Sequence, residues 1–254
     1  VDRTLNGQTA LVTGASRGIG SATAIALAEL GFSRLILHYN SYQEGLNRVL
    51  ASVRNAGARA DTIQADLGCE SGIQTFLKAL NATGPGVDVL VNNAGSLVKR
   101  AKLAEFTPEL FDRVMTLNVK SAWFIAQAVA PHMIERKNGI IVNVSSIAAR
   151  TGGGIGAAIY AAAKAAVSTI TKGLAKELAP HGIRVNAVSP GTVDNHFHEQ
   201  FSTRKMLDGV VAATPAGTLG TNEEVADTIL FLCSDAARYI HGQTIEINGG
   251  MFMV

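Results

Sequence analysis

A doubly wound α/β fold, about seven mostly parallel strands with helices on both faces, is predicted by three observations. Apolar runs of strand length alternate with helical patterns along the chain, a glycine-rich turn joins the first strand to the first helix, and the chemically suggestive residues fall just after strands. The 254 residues are 47% hydrophobic, enough for a large core, and no Pro- or Ser-rich linker divides them. One domain over 1–254 is expected.

The first strand is Thr9-Ala10-Leu11-Val12, running into Thr13-Gly14-Ala15-Ser16-Arg17-Gly18-Ile19-Gly20 and then the helical pattern Ala22, Ile25, Ala26, Leu27, Leu30. Glycines without Cβ let backbone approach a pyrophosphate, and the first-turn N–H groups of the helix then face its charge. A dinucleotide is the ligand such a turn suits. The second strand, Leu35–His38, leads into Tyr39-Asn40-Ser41, and the third, Arg59–Gln64, into Asp66-Leu67. The fourth, Val87–Val91, leads into Asn92-Asn93-Ala94-Gly95, and a long helix around Pro108–Arg136 follows with Asn118 inside it. The fifth, Ile140–Val144, ends at Ser145-Ser146. A second long helix, around Ala158–Ala179, precedes the sixth strand, Arg184–Val188, with Pro190-Gly191 after it, and Thr244–Ile247 is the seventh. Strand–helix alternation implies right-handed crossovers, and the ligand crevice then lies at the carboxyl ends of the strands.

Tyr160-Ala161-Ala162-Ala163-Lys164 opens the second long helix. Positions i and i+4 share a helix face, so the Lys164 ammonium is expected near the Tyr160 phenol, favouring its ionised form and bringing a pKa of roughly 10 down towards neutrality. With the Ser146 hydroxyl close by, this spacing can build a proton-transfer site.

Composition narrows the rest. The net charge is +2 with basic residues scattered, so no stripe tracks a nucleic-acid backbone. No apolar run reaches the length of a membrane span, and Val1–Asn6 lacks the apolar stretch of a signal peptide, which predicts a cytoplasmic protein. Cys69 and Cys233 are too few for a disulfide framework, and neither they nor His196 and His198 form a metal-ligand pattern; no metal is expected.

Together the glycine pattern T-G-x-x-x-G-x-G, the Tyr-x-x-x-Lys pair and the ordered matches at Asp66, Asn92-Asn93-Ala94-Gly95, Asn118, Ser146 and Pro190-Gly191 resemble the short-chain dehydrogenase/reductase family over essentially the whole chain. The resemblance implies a Rossmann-type fold and a catalytic set of Asn118, Ser146, Tyr160 and Lys164. Hydride would pass from a nicotinamide to a carbonyl carbon while Tyr160 protonates the oxygen and Ser146 holds it. Asn118 would hold a water against Lys164, and Lys164 would also donate to the nicotinamide ribose. The interval from Ser146 to Tyr160 is one residue longer than in many relatives, with Thr151-Gly152-Gly153-Gly154 able to absorb it, so Ser145 stays a minor candidate for the hydroxyl role.

The implied cofactor surface begins with Gly14, Ser16, Gly18, Gly20 and the Ile19 backbone, beside Tyr39. Asp66, with Leu67, would accept from the adenine amino group, unless it is only the N-cap of the following helix. Asn92, Ala94 and Gly95 would hold the segment past the adenine ribose, and Pro190, Gly191 and Val193 the far side. No carboxylate ends the second strand before Glu44, while Arg17, Asn40 and Ser41 could meet a 2′-phosphate. NADP(H) is therefore the expected cofactor, with NAD(H) as the alternative if Arg17 is only a solvated turn residue.

Pro215–Gly220 and the tail Asn248–Val254 look like those of 3-oxoacyl-[acyl-carrier-protein] reductases, which implies an acyl thioester substrate and an acyl carrier protein partner. Such enzymes dock the carrier on basic residues beside the entrance; Lys137 keeps a charge, but His181 stands where a second arginine is expected. The usual threonine after Pro190-Gly191 is replaced around Asn195, within a substrate lid expected at about 192–220. Alcohol, sugar or steroid dehydrogenases share such tails, and a non-catalytic dinucleotide sensor is the reading from another class. The apolar faces of the long helices and Met251-Phe252-Met253-Val254 lead to the expectation of a homotetramer.

Overall fold

Alternation along each strand decides which side chain meets which helix layer. In β1 (Thr9–Val12), Ala10 and Val12 face one core cluster and Leu11 the other, and in β2 (Arg34–Tyr39) Leu35 and Leu37 oppose Ile36 in the same way. The computed structural model describes residues 7–84 and 86–254, so the reading made of Val1–Asn6 lies outside the described residues. With β3 (Arg59–Gln64), β4 (Val89–Asn92), β5 (Gly139–Val144), β6 (Ile183–Pro190) and β7 (Thr244–Ile247), the strands form one all-parallel sheet in the order β3-β2-β1-β4-β5-β6-β7. The order reverses between β1 and β4, where the crevice of a doubly wound sheet opens.

Helices α1 (Gly18–Glu29), α2 (Gln43–Asn55) and α10 (Asn222–Cys233) bury Leu27, Leu46, Val49 and Ile229 on one face. On the other face lie α3 (Glu70–Ala82), α5 (Ser121–Arg136) and α7 (Ala158–Leu178), with Phe76, Ile125, Val129 and Leu178. Helix α4 (Pro108–Met115) runs into α5 through a π-helical turn, Thr116–Lys120, so the long helix expected over 108–136 is interrupted where Asn118 sits. A short α6 (Ala148–Thr151) precedes α7, and α8 (His196–Phe201) and α9 (Arg204–Ala213) stand between β6 and α10. No helix among the described residues is long and apolar enough to cross a membrane.

Strand ends differ from the sequence reading in ways that matter for the site. β2 extends through Tyr39, which packs in the core with its hydroxyl on Gln43. β4 starts two residues later than expected and takes in Asn92, which pairs in register with Asn143.

Candidate active site

The carboxyl ends of β1, β2, β4, β5 and β6 open into one cavity of about 1050 Å³. At one end is the glycine turn. Gly14 lies at φ 67°, where L side chains are strained, and a Cβ there would stand 3.0 Å from Asn93 Nδ2. Asn93 Nδ2 donates to Thr13 O at 2.8 Å, and Thr13 Oγ1 accepts from both Asn93 N and Ala94 N at 2.9 Å. From β2, His38 Nδ1 accepts from Gly14 N at 3.0 Å while Nε2 donates to Ala65 O at 3.0 Å, as neutral imidazole requires. Burial pushes that histidine down to about 4.

Helix α1 starts with no side-chain cap and no acidic residue in its first turn, so its N–H groups and the positive end of its dipole face the cavity free. Together with the Gly14 cradle, this fits the phosphates of a dinucleotide. Arg17 lies 4.4 Å over the Tyr42 ring, and Arg48 lies at 5.6 Å and bonds the Tyr42 hydroxyl. Gly45 permits this seat, because a Cβ there would come 2.3 Å from both the Tyr42 ring and Ser16 O.

Asp66 lines the same end. Burial raises its carboxyl, but the Arg113 bond at 2.9 Å and the Gly68 N–H outweigh it and hold the group below the usual range. Asp66 is not the N-cap of α3; Cys69 is.

At the other end lie Tyr160, Lys164 and Ser146. Lys164 Nζ donates to Val144 O at 2.9 Å and stands 5.7 Å from the centre of the Tyr160 ring. Burial pushes Lys164 down to about 8 and Tyr160 up to about 12, the latter opposed by hydrogen bonding with Ser146. The expected lowering of the phenol pKa by Lys164 is therefore not what the structure shows; desolvation outweighs it. Ser146, not Ser145, faces the phenol, since the Ser145 hydroxyl is used on Lys164 O at 2.9 Å and Ser168 Oγ at 2.7 Å.

In the π turn, Asn118 Nδ2 donates to Val114 O and Ser96 O, both at 2.8 Å, and Oδ1 accepts from Ser96 N at 3.2 Å. Gly95 lets this set close up: a Cβ there would lie 2.6 Å from Asn118 Oδ1 and 2.7 Å from Lys164 Nζ.

Of the residues expected at the cofactor, Gly14, Ser16, Arg17, Gly18, Ile19, Asn40, Ser41, Asp66, Leu67, Ala94, Gly95, Pro190, Gly191 and Val193 line the cavity. Three do not. Tyr39 is core, Gly20 is a packing position where a Cβ would lie 2.3 Å from Gly14 O, and Asn92 turns inward to Asn143 Oδ1 at 3.0 Å and Ala122 O. Asn93 takes the place expected of Asn92, as the two-residue period of a strand end would have indicated. Tyr42, His38, Arg113 and Arg100 also line the cavity and were missed.

Over the tyrosine end, Val193 bridges Gly220 and closes the base of the segment carrying α8 and α9. Asn195 caps α8 and its Nδ2 donates to Asn222. His196 pairs with Glu199 and His198 with Ser202, and no group of three metal-ligating side chains occurs among the described residues. Lys137 and His181 directly precede β5 and β6, at the amino edge of the sheet, away from the cavity, so neither is beside the entrance. Both cysteines are free thiols.

Residues 14–252 match the family described as Enoyl-(Acyl carrier protein) reductase. A 3-oxoacyl-[acyl-carrier-protein] reductase from Synechocystis sp. is 39% identical over 250 residues, 98% of each chain. Among solved structures, a protein described as an NAD(P)-dependent gluconate 5-dehydrogenase from Beutenbergia cavernae, with NADP bound at low occupancy, superposes with a TM-score of 0.89 at 35% identity over 97% of both chains. An NADH-dependent reductase, A1-R′, responsible for alginate metabolism, gives 0.86 at 35% identity over 99% of both chains.

Proposed function

Since the chain belongs to the short-chain dehydrogenase/reductase family of oxidoreductases, we propose that it is an NADPH-dependent carbonyl reductase. The observation that carries this reading is the placement of Ser146, Tyr160 and Lys164 at one end of a cavity whose other end is a phosphate-ready glycine turn. The nicotinamide, when bound, supplies the hydride. Tyr160, held at about 12, is a proton donor at neutral pH, the state that reduction needs. Ser146 would fix the carbonyl oxygen beside it, and Lys164, held at about 8 and seated on Val144 O, would stand behind the phenol as a source of the next proton.

The place of Arg17, Asn40 and Ser41 on the cavity wall, with Tyr42 stacked on Arg17, supports a 2′-phosphate held by these side chains. Asp66 keeps lone pairs free for an adenine amino group although Arg113 and Gly68 already use both oxygens. The segment about 192–220 acts as the substrate lid of a single domain, and the half-exposed Phe111 and Trp123 of α4 and α5 support pairing into a homotetramer. A cytoplasmic location goes with this reading.

For the substrate, the Synechocystis relative supports a 3-oxoacyl thioester, which implies an acyl carrier protein as partner. A second reading, a keto sugar acid, is supported by the Beutenbergia structure, described as a gluconate 5-dehydrogenase. The test is NADPH oxidation, with NADH in parallel, on an acetoacetyl thioester, simple ketones and keto sugars. NADPH-selective turnover of a carbonyl supports the proposal, and cofactor binding with silence across the panel overturns it in favour of a non-catalytic sensor.

A further inference from the structure

The loop after β4 makes a corner that costs strain. Val98 lies at φ 63°, a region that β-branched residues avoid. Ser96 Oγ accepts from Val98 N at 2.9 Å, and Asn118 grips both backbone polar groups of Ser96, so the corner is held from two sides. Two residues later it delivers Arg100, half-buried, to the cavity wall. Arg100 Nε donates to Phe201 O at 2.6 Å and Nη1 to Ile155 O at 2.9 Å. The guanidinium thus ties the end of α8 to the loop before α7, and Nη2 meets no acceptor among the described residues.

Two carbonyl dipoles do not cancel a full charge. Among the described residues, Asp66 is the only acidic one lining the cavity, and it sits at the glycine-turn end, engaged by Arg113. Asp194 is exposed and outside the lining. Arg100 is therefore a cation with no ion-pair partner among the described residues, although Asp194 acts on the same His198, and it keeps unused donors in a planar fork suited to carboxylate.

We propose that Arg100 binds an anionic group of the substrate, and that the substrate is a carbonyl compound carrying a carboxylate. This rests on the carbonyl-reductase reading and selects a keto acid over a thioester within it. The Tyr160 and Phe197 rings are 5.7 Å apart and the Phe197 and Phe201 rings 5.0 Å, and Arg100 grips the carbonyl of Phe201. Arg100 thus meets the backbone of the residue whose ring ends the Tyr160–Phe197–Phe201 run, and we take the carboxylate to lie several bonds from the ketone. Leu97 and Met206 line the space for the carbon chain between.

The test is steady-state NADPH oxidation on straight-chain oxo acids of increasing ketone-to-carboxylate separation and on their methyl esters. The full chain is compared with Arg100→Met and Arg100→Lys, with thermal unfolding of each. The wild type should favour the acids, the longer ones most. Arg100→Met should raise KM for the acid about 10- to 100-fold more than KM for the ester, the worth of hydrogen bonds to a charged group, since loss of the tie to Phe201 acts on both substrates alike. Arg100→Lys should recover part of the acid's KM. Equal turnover of acid and ester by the wild type overturns the proposal while leaving the carbonyl reductase standing. So does an equal loss on both in Arg100→Met, which makes Arg100 a structural tie only. Silence on acid and ester by a wild type that binds NADPH overturns both readings.

Discussion

Each end of the cavity holds a histidine, His38 buried and His198 half-buried, whose pKa is pushed down to about 4, chiefly by desolvation, and the two are built on opposite principles. His38 is fixed by Gly14 N on one side and Ala65 O on the other, so strands β1, β2 and β3 all hold it, with Phe76 edge-on at 5.3 Å. His198 is held by Ser202, on its own chain segment, and is disfavoured as a cation by burial and then by Arg100. Neither α8 nor α9 contains a fully buried residue, and the segment is tied down by single bonds such as Arg100 to Phe201 and Asn195 to Asn222. The end proposed to present backbone N–H groups to phosphates is made rigid by the sheet. The end proposed to admit substrate is held by a few contacts.

The largest effect that bears on this contrast is expected from Tyr160→Phe. Removing the proposed proton donor should lower kcat by about 10²–10⁴, while dinucleotide affinity, followed by cofactor fluorescence, stays near wild type because the glycine turn stands apart from the phenol. Loss of cofactor binding along with turnover would show that the two ends are not independent.

Acid should separate the two histidines next. The folded-state pKa of His38 is below its unfolded value, so the unfolded chain binds the proton more readily. Stability from this group is complete above about 6.5 and is lost as pH falls towards about 4, by at most about 3 kcal/mol. Urea unfolding across that window should show the slope, and a His38→Gln variant should flatten it. Protonating His198 should instead release the lid locally, read as faster hydrogen exchange over 196–213 with little change in the global midpoint. A His198 variant that flattens the global profile would break the contrast.

The same contrast explains what could be read from sequence. The glycine turn, the seven strands and the Tyr160–Lys164 pair are local patterns, and local patterns survive into the fold. The errors at this end were of phase: Asn92 and Asn93 differ by one residue, and that flips a side chain from core to cavity. Gly45 carries no local signal either, since its role is to leave room for the Tyr42 ring and Ser16 O. At the lid end nothing local signals that Arg100 reaches Phe201, a hundred residues on, or that Phe197 lies on Tyr160. The pKa of Tyr160 was misjudged for the same reason, since helix spacing shows the neighbouring cation but not the depth of burial.

Adjacent serines give the finest test, and the smallest expected effect. Ser145 is 2% exposed and spends its hydroxyl on Lys164 O and Ser168, tying β5 to α7, whereas Ser146 turns its own towards the phenol. Ser145→Ala removes a buried tie and should cost about 0.5–1.5 kcal/mol of stability, with kcat close to wild type. Ser146→Ala should do the reverse, lowering kcat with little change in the unfolding midpoint, because its remaining bond is only to Ala148 N at 3.1 Å. Equal losses of kcat in the two variants would mean that Ser145 acts on the carbonyl through the seating of Lys164, and that the rigid frame of β5 and α7 extends into the chemistry.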